Sequence, residues 1–502
     1  VEAMLAFPGV SCEADLSSIA HLLLDAPPLL GSTGFRDIKL VPAAHILTWS
    51  AAGTTARRYW SPDFGKKIRY QREDEYVEHT RELLDEAVRC RLRTLGPVVC
   101  QLSGGFDSSG VTATAARLHE GGPVFSITAV PQTGVPVCPT GGRIFVNEWE
   151  HASAVAAMHP NVTAYAAQAA APTYTDPRIL FQFRGMPVRN FLNVSWFGTA
   201  NQMARDLGAK TLLIGSAGNA TLSWKGMEGL PDLIRPRSLW ALQREVLWLS
   251  RQGVQSPWQT YRRNVLPALL PAKLRGMLAR RSGSVPAWCR ASAISAEFAL
   301  DSGAIAIAAE NTGALAGLGW GDSARLRCFE RMWRQPGSSL LRPFYGLERR
   351  DPLADTRLVE FCIALPPEQY LLRGVTRRLA RRVLADRIPS VVLEEQRVGR
   401  QNADWYFRLS HAREQMRASL DRLQRSPLAR YALNLGRMRS VLERWPANAA
   451  DAQACSETLV GVLSRGANIG EFLEWTEDGC PRPSDVGVES TAALFADLLS
   501  AR

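Results

Sequence analysis

The chain has 502 residues, 46% of them hydrophobic and 21% charged, with a formal net charge of +11. Its ordinary apolar fraction excludes a disordered or fibrous chain, and its length exceeds what one hydrophobic core usually serves, so two domains are expected, residues 1–72 and 73–502. No apolar run approaches bilayer length, and the arginines are spread out, with local clusters at Arg377–Arg387 and Arg280–Arg281, so neither a membrane nor a nucleic-acid partner is expected. Nine cysteines without a C-x-x-C pair or zinc-type His spacing read as reduced thiols. With no basic n-region or signal-like core at the start, the expected location is the cytoplasm.

Residues Val1–Pro62 combine a short helical pattern, Leu16–Leu24, with strand-like pieces at His45–Trp49 and Thr54–Trp60, which predicts a small α+β unit. Between Tyr70 and Thr94, Tyr76, Val77, Leu83, Leu84, Ala87, Val88 and Leu92 recur at near-helical spacing among charges, predicting a helix beside the first buried strand. That strand, formed by Val98, Val99, Cys100 and Leu102, runs into Ser103-Gly104-Gly105-Phe106-Asp107-Ser108-Ser109, and a helix of small residues follows. The glycines allow a sharp turn and close backbone approach, the serines supply hydroxyl donors, and the helix start presents unpaired N–H groups. An anion belongs there, most naturally a phosphate. The turn lacks the Lys of a Walker A loop.

The loop has the form SGGxDS and resembles the pyrophosphate loop of the ATP pyrophosphatases, the group containing asparagine synthetase, β-lactam synthetase and the lasso peptide cyclases. The resemblance implies an α/β synthetase domain with a parallel sheet that adenylates a carboxylate with loss of pyrophosphate. It implies ATP held by Leu102, Ser103, Gly104, Gly105, Asp107, Ser108, Ser109, Ile127, Gly215 and Gly218, and Mg2+ held by Asp107 and Asn219. By the same likeness, Phe35–His45 with Arg57–Trp60 resembles the closing stretch of the amidotransferase domain that precedes the synthetase domain. Val1 stands where a working glutaminase of that type has Cys, so no glutamine-derived ammonia is expected.

Val124–Val130 is the next predicted strand, followed by a Pro/Gly-rich connection, Pro131–Gly142. Glu148, opening the Asn147–Asn161 segment, reads either as a group reaching the nucleotide region or as a charge favourable to a helix start. Thr211–Ile214 is a second buried strand entering a glycine turn, Gly215-Ser216-Ala217-Gly218-Asn219. Asparagine synthetases carry an acidic turn here. This one, continuing as Ala220-Thr221-Leu222-Ser223-Trp224, resembles the version in lasso peptide cyclases, and Asn219 offers a neutral carbonyl where a carboxylate serves a hard cation better. Trp224 reads equally as a core aromatic and as a substrate contact. Pro231–Ser295 reads as helical, and Gly303–Gly321 as a helix with a loop near its end.

Tyr345–Phe361, containing Gly346-Leu347-Glu348-Arg349-Arg350-Asp351-Pro352, resembles a segment of the same synthetase domain, and Pro366–Tyr370 with Gly374, Arg377 and Arg381 continues the likeness. It implies that Glu348 is the catalytic carboxylate, orienting the incoming amine and accepting its proton, with Tyr345 its partner by proximity, while the residues alone also allow a surface salt bridge to Arg349 or Arg350. Leu393–Trp405 resembles the loop in which this group places a Lys against the adenylate and pyrophosphate. Arg397 falls at that position, preserving charge and changing geometry. From Ser410 onward the pattern is helical.

GNATLSW, ERRDPLAD and GRQNADW together are most similar to the lasso peptide cyclases. That likeness implies adenylation of an Asp or Glu side chain in a precursor (core) peptide and attack by the peptide's N-terminal amine. A macrolactam results, with a leader-binding protein and a leader peptidase as partners. An asparagine-synthetase-like or other small-molecule amide ligase, a tRNA-modifying ATP pyrophosphatase and a non-catalytic scaffold remain open.

Overall fold

The computed structural model describes residues 1–139, 141–169, 177–234, 239–269, 290–304, 306–307, 322–334 and 341–481. Arg280–Arg281, most of Gly303–Gly321 and parts of Pro231–Ser295 lie outside these residues. In chain order the elements that matter here are α1 (Leu16–Leu23), β1 (His45–Ser50), β2 (Gly53–Arg58), α2 (Glu73–Arg89), β3 (Val98–Gln101), α3 (Phe106–Leu118), β4 (Val124–Val130) and α4 (Trp149–Ala157). They continue with β5 (Val162–Gln168), α5 (Asn193–Asp206), β6 (Thr211–Leu213), β7 (Glu348–Arg350), α6 (Thr356–Ala364) and α7 (Arg378–Val383). Helices from Trp405 to Glu477 close the described chain.

Strands β3 to β7 form one five-stranded sheet in the order β5-β4-β3-β6-β7, every neighbouring pair parallel. A parallel sheet is covered on both faces, so its strands carry apolar residues at consecutive positions. Val98, Cys100 and Leu102 pack on one side with Leu84, Val88 and Val111 of α2 and α3. Val99 and Leu212 pack on the other with Ala200 and Ala204 of α5. The chain runs outward from β3 through β4 to β5, then crosses back to β6 on the far side of β3. The carboxyl ends of β3 and β6 therefore flank the point where the winding reverses, which is where such sheets leave a ligand crevice.

The first forty residues do not carry a core of their own. Ile19, Leu23 and Phe35 share one core with Met416, Leu420, Phe472 and Trp475, and the Phe35 ring lies 5.5 Å from that of Phe472. By contrast, the β1–β2 hairpin buries almost nothing, and Trp49 is 81% exposed. The expected 1–72 unit thus divides into a segment packed on the C-terminal helices, an exposed ribbon, and a stretch whose Trp60, Phe64, Ile68 and Tyr70 pack against the cores around α2 and α6. Among the described residues no disulfide is present and no helix is long and apolar enough to cross a membrane.

Candidate nucleotide site

Ser103–Asp107 joins β3 to α3 and floors a cavity of about 400 Å³ at the carboxyl ends of β3, β4 and β6. The loop is held from within. The Ser103 N–H donates to Ser108 Oγ at 2.9 Å, the two hydroxyls lie 2.7 Å apart, and Ser109 Oγ donates to the Ser103 carbonyl at 3.2 Å. Helix α3 starts after Gly105 with no side-chain cap, so its first N–H groups remain for an anion. Gly104 is required sterically, since a Cβ there would lie 2.9 Å from His151 Cβ.

The turn after β6 packs against the loop from the other side. A Cβ on Gly215 would lie 2.7 Å from the Asp107 carbonyl carbon, and one on Gly218 would lie 2.0 Å from Asp107 Oδ1. These two glycines let the Asp107 carboxylate sit where it does. Its Oδ1 is shut off from solvent with no hydrogen-bond partner. Burial pushes the Asp107 carboxyl up to about 6, Asp351 adds to the rise, and Ser223 and Arg377 oppose it. An orphaned buried carboxylate oxygen beside a phosphate-type loop fits a hard divalent cation. Among the described residues no three His, Cys, Asp or Glu side chains converge, so a magnesium ion held by Asp107 would draw its other ligands from phosphate oxygens and water, as this ion commonly does. Asn219 lines the same cavity and is exposed to it.

The expected residues sort into three groups. Leu102, Ser103, Gly104, Gly105, Asp107, Ser108, Gly215, Asn219 and Arg397 line the cavity. Ser109, Ile127 and Gly218 support it from outside: Ile127 is buried in the core, and its carbonyl accepts the Leu102 N–H at 2.9 Å. Glu348 and Tyr345 are elsewhere. The β6–β7 register pairs Glu348 with Thr211 and Arg350 with Leu213, which puts Glu348 toward the strand end opposite the phosphate loop. Its side chain is 61% exposed, faces Arg350 at 3.1 Å, and lines a separate surface cavity with Cys90, Arg91 and Arg93. Tyr345 is buried with Ala200 and Leu347, and burial raises its phenol pKa. The structure therefore does not bring the expected Glu348–Tyr345 pair together at the nucleotide cavity, and the surface ion pair is what it shows.

Asp351, three residues beyond Glu348, is the acid that this segment brings near the loop. Its Oδ2 accepts the Ala217 N–H at 2.9 Å and its Oδ1 the Leu353 N–H at 3.0 Å. Trp224 is core, edge-on to Tyr370 at 5.1 Å, with Arg325 stacked 4.5 Å over its ring.

Arg397 reaches the cavity, yet its guanidinium is engaged by Glu395, with contacts of 3.0, 3.1 and 2.7 Å. Those bonds hold the Glu395 carboxyl down to about 2, with desolvation opposing and His151 contributing from 2.9 Å. Glu148, at the start of α4, also lines the cavity: burial raises its carboxyl and the Gly104 N–H opposes the rise. Gly399 is a glycine because a Cβ would fall 2.0 Å from Glu148 Oε1. The residues that sequence reasoning left without a role are Arg377, Trp196, Phe197, Phe145 and Glu395. Of these Arg377 carried a signal, as part of a basic run in a segment resembling the synthetase domain, and Glu395 lay within the Leu393–Trp405 stretch read as the loop against the adenylate.

The family model described as asparagine synthase matches residues 79–314 and 340–474, well over half of the chain. Over 121 residues the chain is 35% identical to asparagine synthetase [glutamine-hydrolyzing] 3 of Bacillus subtilis, covering 24% of this chain and 19% of that protein. Over 93 residues it is 31% identical to amidase chyE of Penicillium rubens, covering 18% and 14% respectively. A stretch of 68 residues is 47% identical to amidase chry2 of Gibberella zeae, covering 13% and 10%. In each case the match spans less than a fifth of the relative's length.

Proposed function

The chain belongs to the asparagine synthase family, and from that premise we propose that it is an ATP-dependent, AMP-forming amide ligase. The observation that carries the reading is the placement of the SGGxDS loop, with the orphaned Asp107 Oδ1, at the reversal point of the parallel sheet. In this reading the uncapped start of α3, the Gly104 and Gly105 backbone and the Ser103 and Ser108 hydroxyls bind the triphosphate. Asp107 holds the magnesium ion, which when bound neutralises charge developing on the phosphate oxygens. Glu148 fixes the Gly104 side of the loop, and Trp196, Phe197 and Phe145 restrict access by water.

The finer proposal is macrolactam formation in a lasso-type precursor peptide, with an Asp or Glu side chain as acyl donor and the N-terminal amine as acceptor. GNATLSW and GRQNADW, whose residues build the turn against Asp107 and the loop carrying Arg397, support it. A precursor peptide, a leader-binding protein and a leader peptidase are then the partners, since the reaction needs a freshly exposed N-terminal amine. The test is to incubate the protein with ATP, magnesium and a leaderless peptide bearing a free N-terminal amine and an acidic side chain. AMP, pyrophosphate and a peptide lighter by one water support the proposal. Asparagine made instead from aspartate and ammonia would assign the chain to the small-molecule ligases, and ADP with phosphate would overturn the AMP-forming reading.

A further inference from the structure

A second cavity of about 780 Å³ adjoins the nucleotide cavity, and Arg377, Glu395, Arg397 and Val398 line both. Five cations line the two: Arg143, Lys225, Arg377, Arg381 and Arg397. Three of them are already engaged. Arg143 donates to the carbonyls of Gly253 and Val254, Arg381 to those of Thr376 and Leu393, and Arg397 to Glu395. Lys225 and Arg377 are different, because neither makes a hydrogen bond or close ion pair among the described residues, and Arg377 Nε is shut off from solvent with no partner. Arg377 lies 5.6 Å over the Phe106 ring, directly beside the phosphate loop, and holds a left-handed backbone at φ 53° that a non-glycine residue adopts only under local strain.

Resting on the amide-ligase reading, we propose that Lys225 and Arg377 form a pyrophosphate-binding pair facing the phosphate loop from the second cavity, the place taken by the leaving group as it departs. In the activation step a carboxylate oxygen bonds to the α-phosphorus, and the bond from that phosphorus to the bridging oxygen of the β-phosphate breaks. The electron pair stays on that oxygen, so negative charge rises on the departing pyrophosphate, and two cations without a hydrogen bond or close ion pair are the groups that answer it. Burial lowers the Lys225 ammonium pKa and Arg377 lowers it further, with Glu228 opposing, while burial lowers that of Arg377, with Asp107 opposing, so both cations are held desolvated with no direct ion pair. This assigns to Lys225 and Arg377 the part that sequence likeness gave to Arg397.

The test is isothermal titration calorimetry of the full chain with inorganic pyrophosphate alone, and separately with AMP, at fixed magnesium. Lys225→Met, which keeps the apolar stem, should weaken pyrophosphate binding by about tenfold or more, with AMP affinity unchanged and Lys225→Arg close to wild type. Arg377→Lys should lie between, since it keeps the charge and loses the fork. Unchanged pyrophosphate affinity in Lys225→Met, an equal loss of AMP affinity, or no pyrophosphate binding by the wild type would overturn the proposal. Because binding is read without turnover, these outcomes stay separate from a failure of the amide-ligase reading, which product analysis of ATP reports.

Discussion

Replacing Asp107 by Asn should make the ligand-free protein more stable while removing its activity. The carboxyl, pushed up to about 6 by burial, sits about two pH units above an ordinary aspartate, and each unit corresponds to about 1.4 kcal/mol. That sets a ceiling of about 3 kcal/mol, and because the residue as a whole is only half-buried, screening brings the expected gain at neutral pH to about 1–3 kcal/mol. The direction with pH follows from proton counts. Between about pH 4 and 6 the folded protein keeps a proton that the unfolded chain has released, so wild-type stability falls as pH rises through that window. The variant lacks this loss, so its advantage should be small at pH 4, grow to about pH 6 and then level off. Urea denaturation followed by tryptophan fluorescence, in EDTA at several pH values, reads the difference. A variant no more stable than wild type at pH 7.5, or an advantage independent of pH, would refute the electrostatic reasoning. Activity in the variant should drop by about a hundredfold or more, because the metal ligand is lost.

Three further outcomes follow from named contacts. Glu348→Gln should leave turnover within about threefold of wild type and stability within about 1 kcal/mol, because its partner Arg350 is met at the surface, away from the nucleotide cavity; a hundredfold loss of ring closure or ligation would return Glu348 to the chemistry. Gly218→Ala forces a Cβ to within 2.0 Å of Asp107 Oδ1, so it should cost about 1–3 kcal/mol in a thermal melt and reduce ATP turnover more than tenfold, about the range for overpacking. Gly399→Ala collides with Glu148 in the same way, and a raised KM for ATP at near-normal melting temperature is the expected reading, with an unchanged KM counting against a role for Glu148.

What the sequence revealed and what it hid have physical reasons. The phosphate loop was legible because strand, turn and helix are contiguous, so Val98–Leu118 carries its own context. Sheet register is different: nothing within Gly346–Asp351 says which residue stands opposite Leu213, and the pairing that puts Arg350 there moves Glu348 away from the loop and brings Asp351 near it. Likewise, the Arg397 position was read from the chain, whereas its capture by Glu395, two residues earlier, depends on a loop conformation that no periodicity encodes. Contacts between distant segments were equally invisible. Phe35 meets Phe472 across more than four hundred residues, which is why the expected 1–72 unit does not stand apart and its first forty residues pack on the C-terminal helices. Helix α2 and strand β4, defined by their own spacing, came close to the expected limits.

The central claim, activation of a carboxylate on the α-phosphate of ATP at the Ser103–Asp107 loop, is tested most directly by oxygen transfer. The protein is incubated with ATP, magnesium and a leaderless peptide whose side-chain carboxylates carry oxygen-18, and the nucleotide product is examined by mass spectrometry. The account predicts AMP bearing one labelled oxygen for each amide bond formed, and no labelled AMP from Asp107→Ala. Unlabelled AMP, ADP in its place, or labelled AMP from the folded Asp107→Ala variant would contradict it.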